Sequence, residues 1–215
     1  TETPTGIRKN TGFWLTQRLT IRLSDRTIES RVLQGELFVV KTLRMCRGNH
    51  MKTLYLIGGT MGVGKTAVCQ SLKKALPQSV CLDGDWCWDA DPFQITEETK
   101  AMVLDNIGYL LNNFLHCSAY ENVIFGWVMH EQAIIDSILT KLDTGNCRVQ
   151  CISLTADESS LRSRLDKDVA EGIRSADVIE RSVARIPLYQ ALNTIKIDTS
   201  GKSVPMVVDE IRSLG

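Results

Sequence analysis

Between an apolar run, Thr53-Leu54-Tyr55-Leu56-Ile57, and a helix-forming stretch from Ala67 to Leu76 lies Gly59-Thr60-Met61-Gly62-Val63-Gly64-Lys65-Thr66. The octapeptide satisfies G-x-x-x-x-G-K-[ST] at every fixed position, a pattern whose meaning depends on this strand-to-helix context. It commits the chain to a strand that feeds a helix across a tight, anion-binding turn. Glycines let the backbone take positive φ, so successive N–H groups can point inward around an anion. Lys65 then reaches the β- and γ-phosphates, Thr66 offers its hydroxyl to magnesium, and the helix start adds partial positive charge. A glycine-rich turn without a ligand would account for the glycines and leave Lys65-Thr66 unexplained. The expected triphosphate-binding residues are therefore Gly59, Gly62, Val63, Gly64, Lys65 and Thr66.

From Met51 onward, strand-like and helix-like segments alternate at the spacing of right-handed βαβ units, which implies a parallel sheet with helices on both faces. The expected strands are 53–57, 79–82, 122–128, 148–154 and 194–198. A long helix is expected over 96–115, with Thr96 as N-cap, Glu97 and Glu98 in the positive first turn, and Val103, Ile107, Leu110, Leu111 and Phe114 on one face. Ile134, Ile135, Ile138, Leu139 and Leu142 mark a second inward face, and His130 is placed to cap that helix. Thr155-Ala156-Asp157-Glu158 reads as a capping box for the next one. The fold class is α/β: a P-loop NTPase, three layers α/β/α, with a five-stranded parallel sheet and a helical lid over residues 160–186.

Residues 1–50 carry nine Lys/Arg against four Asp/Glu, and the rest of the chain sixteen against twenty-one. The larger part is mildly acidic, which argues against a broad nucleic-acid surface. Residues 1–50 form a basic extension with three open explanations. They could be sequence appended upstream of a natural start at Met51, a basic targeting arm, or a small β appendage using Leu19–Leu23 and Leu37–Val40. Seven cysteines, with no C-x-x-C pair, read as reduced thiols. No apolar run reaches the roughly 18 residues of a membrane span, so a cytoplasmic location is expected.

A phosphate loop alone does not separate a motor, a switch and a kinase. The deciding element is Asp83-Gly84-Asp85, which ends the second strand. Two carboxylates two residues apart at the C-terminal edge of a parallel sheet lie on the rim where such sheets bind ligands. One can hold magnesium or its water shell while the other accepts the proton of an attacking hydroxyl. Asp and Gly also favour plain turns, the structural alternative.

Here the sequence resembles the small-molecule P-loop kinases: shikimate, gluconate and adenylylsulfate kinases and chloramphenicol phosphotransferase. Leu82-Asp83-Gly84-Asp85 in particular is similar to the adenylylsulfate kinase motif. The resemblance spans most of 51–214 and is nearest to bacterial "nucleotide kinase" or "AAA family ATPase" proteins of this group. It implies ATP and Mg2+ as cofactors, Asp85 as the substrate-side base, Asp83 with Thr66 near the metal, and a lid in the Arg-rich region. The third strand reads Val123-Ile124-Phe125-Gly126 where a Walker B motif would place an aspartate, which disfavours a motor-type ATPase.

Cations that close over the γ-phosphoryl group stabilise its charge in flight and exclude water. Arg162, Arg164, Arg174, Arg181 and Arg185 are candidates beside Gly172, with Arg164 and Arg174 foremost; solvated helix charge is the alternative reading. Trp86, Trp88 and Trp127 are placed as aromatic walls for an organic acceptor, against the alternative that they are core. Asp198, in a loop resembling the adenine-side loop of the family, is assigned to the cofactor. The expectation is an ATP-dependent phosphotransferase for a small-molecule hydroxyl or phosphate, acting as monomer or homodimer, without nucleic acid or membrane. Its rivals are a nucleic-acid-end kinase and a nucleotide-binding switch or ATPase without an acceptor.

Overall fold

The computed structural model describes residues 18–23, 26–33, 36–38, 44–45 and 51–214. The chain divides into two units, Thr1–His50 and Met51–Gly215. In the first, β1 (Arg18–Leu23) pairs antiparallel with β2 (Arg26–Leu33), and β2 pairs antiparallel with β3 (Glu36–Phe38) and β4 (Arg44–Met45). The alternating Leu19–Leu23 run is strand, the form that the third of the three explanations gives it. Of Leu37–Val40, the part to Phe38 is strand and the rest lies outside the described residues.

The second unit is built on β5 (Lys52–Gly58), β6 (Ser79–Asp83), β7 (Asn122–Gly126), β8 (Cys147–Thr155) and β9 (Ile195–Asp198). They form one parallel sheet in the order β6-β7-β5-β8-β9. Side chains alternate along a strand, so β5 feeds two cores. Leu54 and Leu56 face α2 (Glu97–His116) and α3 (Gln132–Thr140), burying Val103, Ile107, Leu111, Ile135 and Ile138. Tyr55 and Ile57 face α1 (Lys65–Ala75) and α7 (Val204–Ser213), burying Val68, Leu72, Val207 and Ile211. These are the three layers expected.

Helix α2 starts where its cap residues dictate. The Thr96 hydroxyl accepts from Thr99 N at 3.1 Å, and the Thr99 hydroxyl accepts from Thr96 N at 2.9 Å. Local chemistry overrides the expectation in three places. α4 (Glu158–Ala170) is capped by Asp157, which accepts from Ser160 N at 2.7 Å, because Thr155 is still pairing in β8. α3 has Glu131 at its N-cap and no side-chain cap, so His130 does not cap it. β7 ends at Gly126, leaving Trp127 and Val128 free to leave the sheet.

The segment 160–186 contains most of α4, α5 (Val178–Ala184) and the connection to α6 (Ile186–Gln190). Leu161, Leu165 and Val178 make a third cluster, against which Met61 packs. Gly62 takes φ 79°, and a Cβ there would sit 2.7 Å from the Leu165 side chain, so only glycine allows both this turn and this approach. Among the described residues no helix is long and apolar enough to cross a membrane.

Ile107 is fully buried between α2 and the sheet. Ile107→Ala is expected to lower unfolding free energy by about 2–5 kcal/mol, measured by urea titration; a cost near zero would mean that this layer is not close-packed.

Candidate active site

The site lies at the C-terminal ends of β5, β6 and β7, the edge where parallel sheets bind ligands. Gly64 takes φ 100° at the N-cap of α1, so the helix begins at Lys65, two residues earlier than its apolar pattern suggests. The Lys65 ammonium donates to the Thr60 carbonyl at 3.0 Å. Burial pushes its pKa down to about 8, partly opposed by the nearby carboxylates of Asp85 and Asp83. Among the described residues Lys65 makes no ion pair, so its charge is left for an incoming anion.

Thr66 donates its hydroxyl to Asp83 Oδ2 at 3.3 Å. These two hard oxygen donors, beside a phosphate loop, fit Mg2+, which is bound through one or two protein oxygens with phosphates and waters supplying the rest. Among the described residues there is no cluster of three or more His, Cys, Asp or Glu that could hold a metal alone. Gly126 stands where a Walker B carboxylate would be, and a Cβ there would lie 2.8 Å from Cys69 Sγ. A side chain there would require Cys69 to shift.

Asp83 also caps the short 3-10 helix Gly84–Cys87, its Oδ1 accepting from Asp85 N at 3.1 Å. The Asp85 carboxylate, which is exposed, accepts from Trp127 Nε1 at 3.1 Å. Lys65, Thr66, Asp83, Asp85 and Arg174 line one cavity of about 170 Å3. A neighbouring hollow of about 340 Å3 over the phosphate loop is lined by Gly62, Gly64, Lys65, Thr66, Arg164 and Arg174.

Of the two arginines placed at the lid, Arg174 borders both spaces and pairs with Asp168 at 3.1 Å. Arg164 sits at the other end of the loop. It donates to Thr199 O at 2.7 Å, Thr199 Oγ1 at 3.0 Å and Val63 O at 3.4 Å. Arg162 is held by Glu158 and Glu180, and Arg181 by Asp177.

A further hollow of about 230 Å3 runs from Val63 and Gly64 past Arg164 and Thr199 to Val204 and Val207. The loop after β9 reaches it through Thr199, not Asp198. The Asp198 carboxylate accepts from Ser200 N at 3.0 Å and Ser200 Oγ at 2.7 Å, and Asp198 is not among the lining residues. Thr199 is 3% exposed and bonded to Val63 O and Thr155 O. Trp86 and Trp88 line a separate space of about 430 Å3 with Asp89, Asp91, Thr99 and Met102, away from the lysine cavity. Sequence reasoning missed the Thr60 hydroxyl, which donates to the Ser182 carbonyl at 3.1 Å and ties the phosphate loop to α5. It occupies a variable position of the motif, so no pattern marks it.

Fold and site together define a P-loop NTPase of the α/β/α type, in keeping with the resemblance to small-molecule P-loop kinases. The chain belongs to the AAA domain family, whose model matches residues 56–186. It is similar in structure to a gluconokinase from Sinorhizobium meliloti, at 17% identity and TM-score 0.54 over 75% of this chain and 89% of that one. A sugar kinase from a Janibacter species is similar at 12% identity and TM-score 0.55 over 76% and 93%. The tunicamycin resistance protein of Deinococcus radiodurans is similar at 20% identity and TM-score 0.54 over 76% and 95%. At these identities the likeness shows a shared fold. No curated protein matches the sequence significantly.

With Lys65 near 8, about half of the free protein carries a neutral amine at pH 8. A bound triphosphate raises that pKa, so binding takes up a proton, and affinity is full below this pH and weakens as pH rises through it. Calorimetry at pH 8 in buffers of different ionisation enthalpy is expected to show this uptake, reduced in Lys65→Arg. Equal uptake in both proteins would contradict the depressed pKa.

Proposed function

We propose that the chain is an ATP-dependent phosphotransferase that moves the γ-phosphoryl group to a hydroxyl or phosphate of a small molecule. The observation that carries this reading is the cavity in which Asp85 shares the lining with Lys65 and Arg174 and, among the described residues, forms an ion pair with neither. A nucleotide switch needs the lysine and threonine and has no use for that carboxylate. A phosphotransferase needs a proton acceptor on the acceptor side of the lysine.

In this reading the loop amides and Lys65 hold the β- and γ-phosphates, and Val63 and Thr199 with Arg164 border the base end. Thr66 and Asp83 would hold Mg2+, which when bound neutralises phosphate charge. Asp85 takes the proton of the attacking hydroxyl. Arg174 lies in both spaces and supplies the closing cation, while Asp168 keeps it in reach. The gluconokinase and sugar kinase among the similar folds support sugars and sugar acids as first acceptors to test. The acidic balance of residues 51–215 supports a small molecule over a nucleic-acid end.

ADP release from MgATP, measured with a panel of sugars, sugar acids, nucleosides and aromatic or amino alcohols, is expected to rise with one acceptor class. Asp85→Asn should lower that turnover by a factor on the order of 10²–10⁴, or about 3–5 kcal/mol of barrier, with MgATP binding retained. A slow rate that no acceptor stimulates would support the switch instead.

A further inference from the structure

We infer that Trp127 is a positioning residue for Asp85, and that residue 84 is glycine because the indole occupies the place of its side chain. The inference rests on the reading of Asp85 as the proton acceptor. A carboxylate base has to keep one oxygen aimed at the incoming hydroxyl, and a misplacement of about 1 Å can cost roughly 100-fold in rate. Asp85 is exposed, so packing does not fix its torsions.

Hydrogen bonds fix it instead. Its backbone N donates to Asp83 Oδ1 at 3.1 Å, and its carbonyl accepts from Trp88 N at 3.2 Å. Its Oδ1 accepts from Trp127 Nε1 at 3.1 Å. That leaves Oδ2 without a hydrogen-bond partner among the described residues, on a side chain that lines the cavity shared with Lys65 and Arg174. One oxygen is anchored and the other is available, the division a base requires.

Indole has a single N–H and no acceptor, so the bond to Asp85 uses the whole hydrogen-bonding capacity of the Trp127 side chain. It cannot also recognise a polar group of an acceptor in this way. Its ring is taken as well: a Cβ on Gly84 would lie 2.4 Å from Trp127 Cγ and 2.5 Å from Cδ1, distances that no side chain tolerates. The backbone of Trp127 is in turn tied to β5, its N donating to Ile57 O at 3.2 Å. β5 is the strand that launches the phosphate loop, so Trp127 references the orientation of Asp85 to the donor site. This places Trp127 behind the base and not on the wall of the acceptor site. A hydrogen bond at an exposed carboxylate contributes little to stability, so the effect of losing it falls on orientation.

Two substitutions break the contact differently. Trp127→Phe keeps a ring and removes the N–H; Gly84→Ala keeps the N–H and displaces the ring. Both are compared with Asp85→Asn in the full chain, using MgATP and the acceptor that the panel identifies. Trp127→Phe and Gly84→Ala are expected to lower kcat by about 10- to 100-fold while MgATP affinity stays within about threefold; melting temperature holds in Trp127→Phe and falls in Gly84→Ala, where the added methyl has to displace the ring. The indole N–H resonance of Trp127, assigned by its loss in Trp127→Phe, should move in Asp85→Asn, which changes the acceptor of its hydrogen bond and leaves the packing of the ring alone. The inference is overturned if that resonance is unmoved in Asp85→Asn, if MgATP affinity in Trp127→Phe falls by the same factor as kcat, or if Trp127→Phe keeps a turnover that Asp85→Asn has lost. An Asp85→Asn that stays active overturns the base reading, and this inference with it.

Discussion

The site depends on strand register. Gly126 of β7 is paired on one side with Ile57 of β5 and on the other with Asp83 of β6. Three parallel strands therefore end in one line, and the segment after each is delivered to the same edge. After β5 comes the phosphate loop, at the end of β6 and just beyond it the two carboxylates, and after β7 the indole that grips one of them. A slip of one residue would turn each side chain to the opposite face. The alternating cores specify the register, because Leu54 and Leu56 belong to one buried layer and Tyr55 and Ile57 to the other.

Charge is arranged on this edge so that it stays available. Lys65 rests on the Thr60 carbonyl, Asp85 on the Trp127 N–H, and Asp83 on the Thr66 hydroxyl and the Asp85 amide. Each is held by a neutral partner. Had lysine and carboxylate closed on one another, a ligand would first have to break that pair. Arg174 is held by Asp168 on α4, and Thr60 by the Ser182 carbonyl on α5. Segment 160–186 and the phosphate loop are thus tied to one another through the bond from Thr60 to Ser182.

The sheet, its five strands and the start of α2 were legible in the sequence because alternation, periodicity and capping are local signals. The pairing of Thr66 with Asp83 was legible too, since the motif fixes one residue and the strand end fixes the other. The features that were not legible depend on contacts distant in sequence. Nothing in the pattern distinguishes Arg164, which packs on Thr199 some thirty-five residues away, from Arg174, which reaches the lysine cavity. Trp127 stood out as an aromatic group at the right edge, but its bond to Asp85 spans forty-two residues and only the fold reveals it. Trp86 and Trp88 come directly after the carboxylates, yet the 3-10 turn carries them to a different space. The Asp198 carboxylate is taken up by the turn at Ser200, and its neighbour Thr199 borders the hollow beside the phosphate loop.

Transfer of a phosphoryl group to an organic acceptor is the step for which these residues are assigned their roles, and tracing that group tests it without intermediaries. Incubation with ATP labelled by heavy oxygen in the γ-phosphoryl group, with the acceptor panel and mass spectrometric detection, reports its destination. The label is expected in a phosphoester or phosphoanhydride of a small molecule, formed by the native chain and strongly reduced in Asp85→Asn. Label found in inorganic phosphate alone, at a rate indifferent to every acceptor and to Asp85, would contradict phosphoryl transfer to an acceptor.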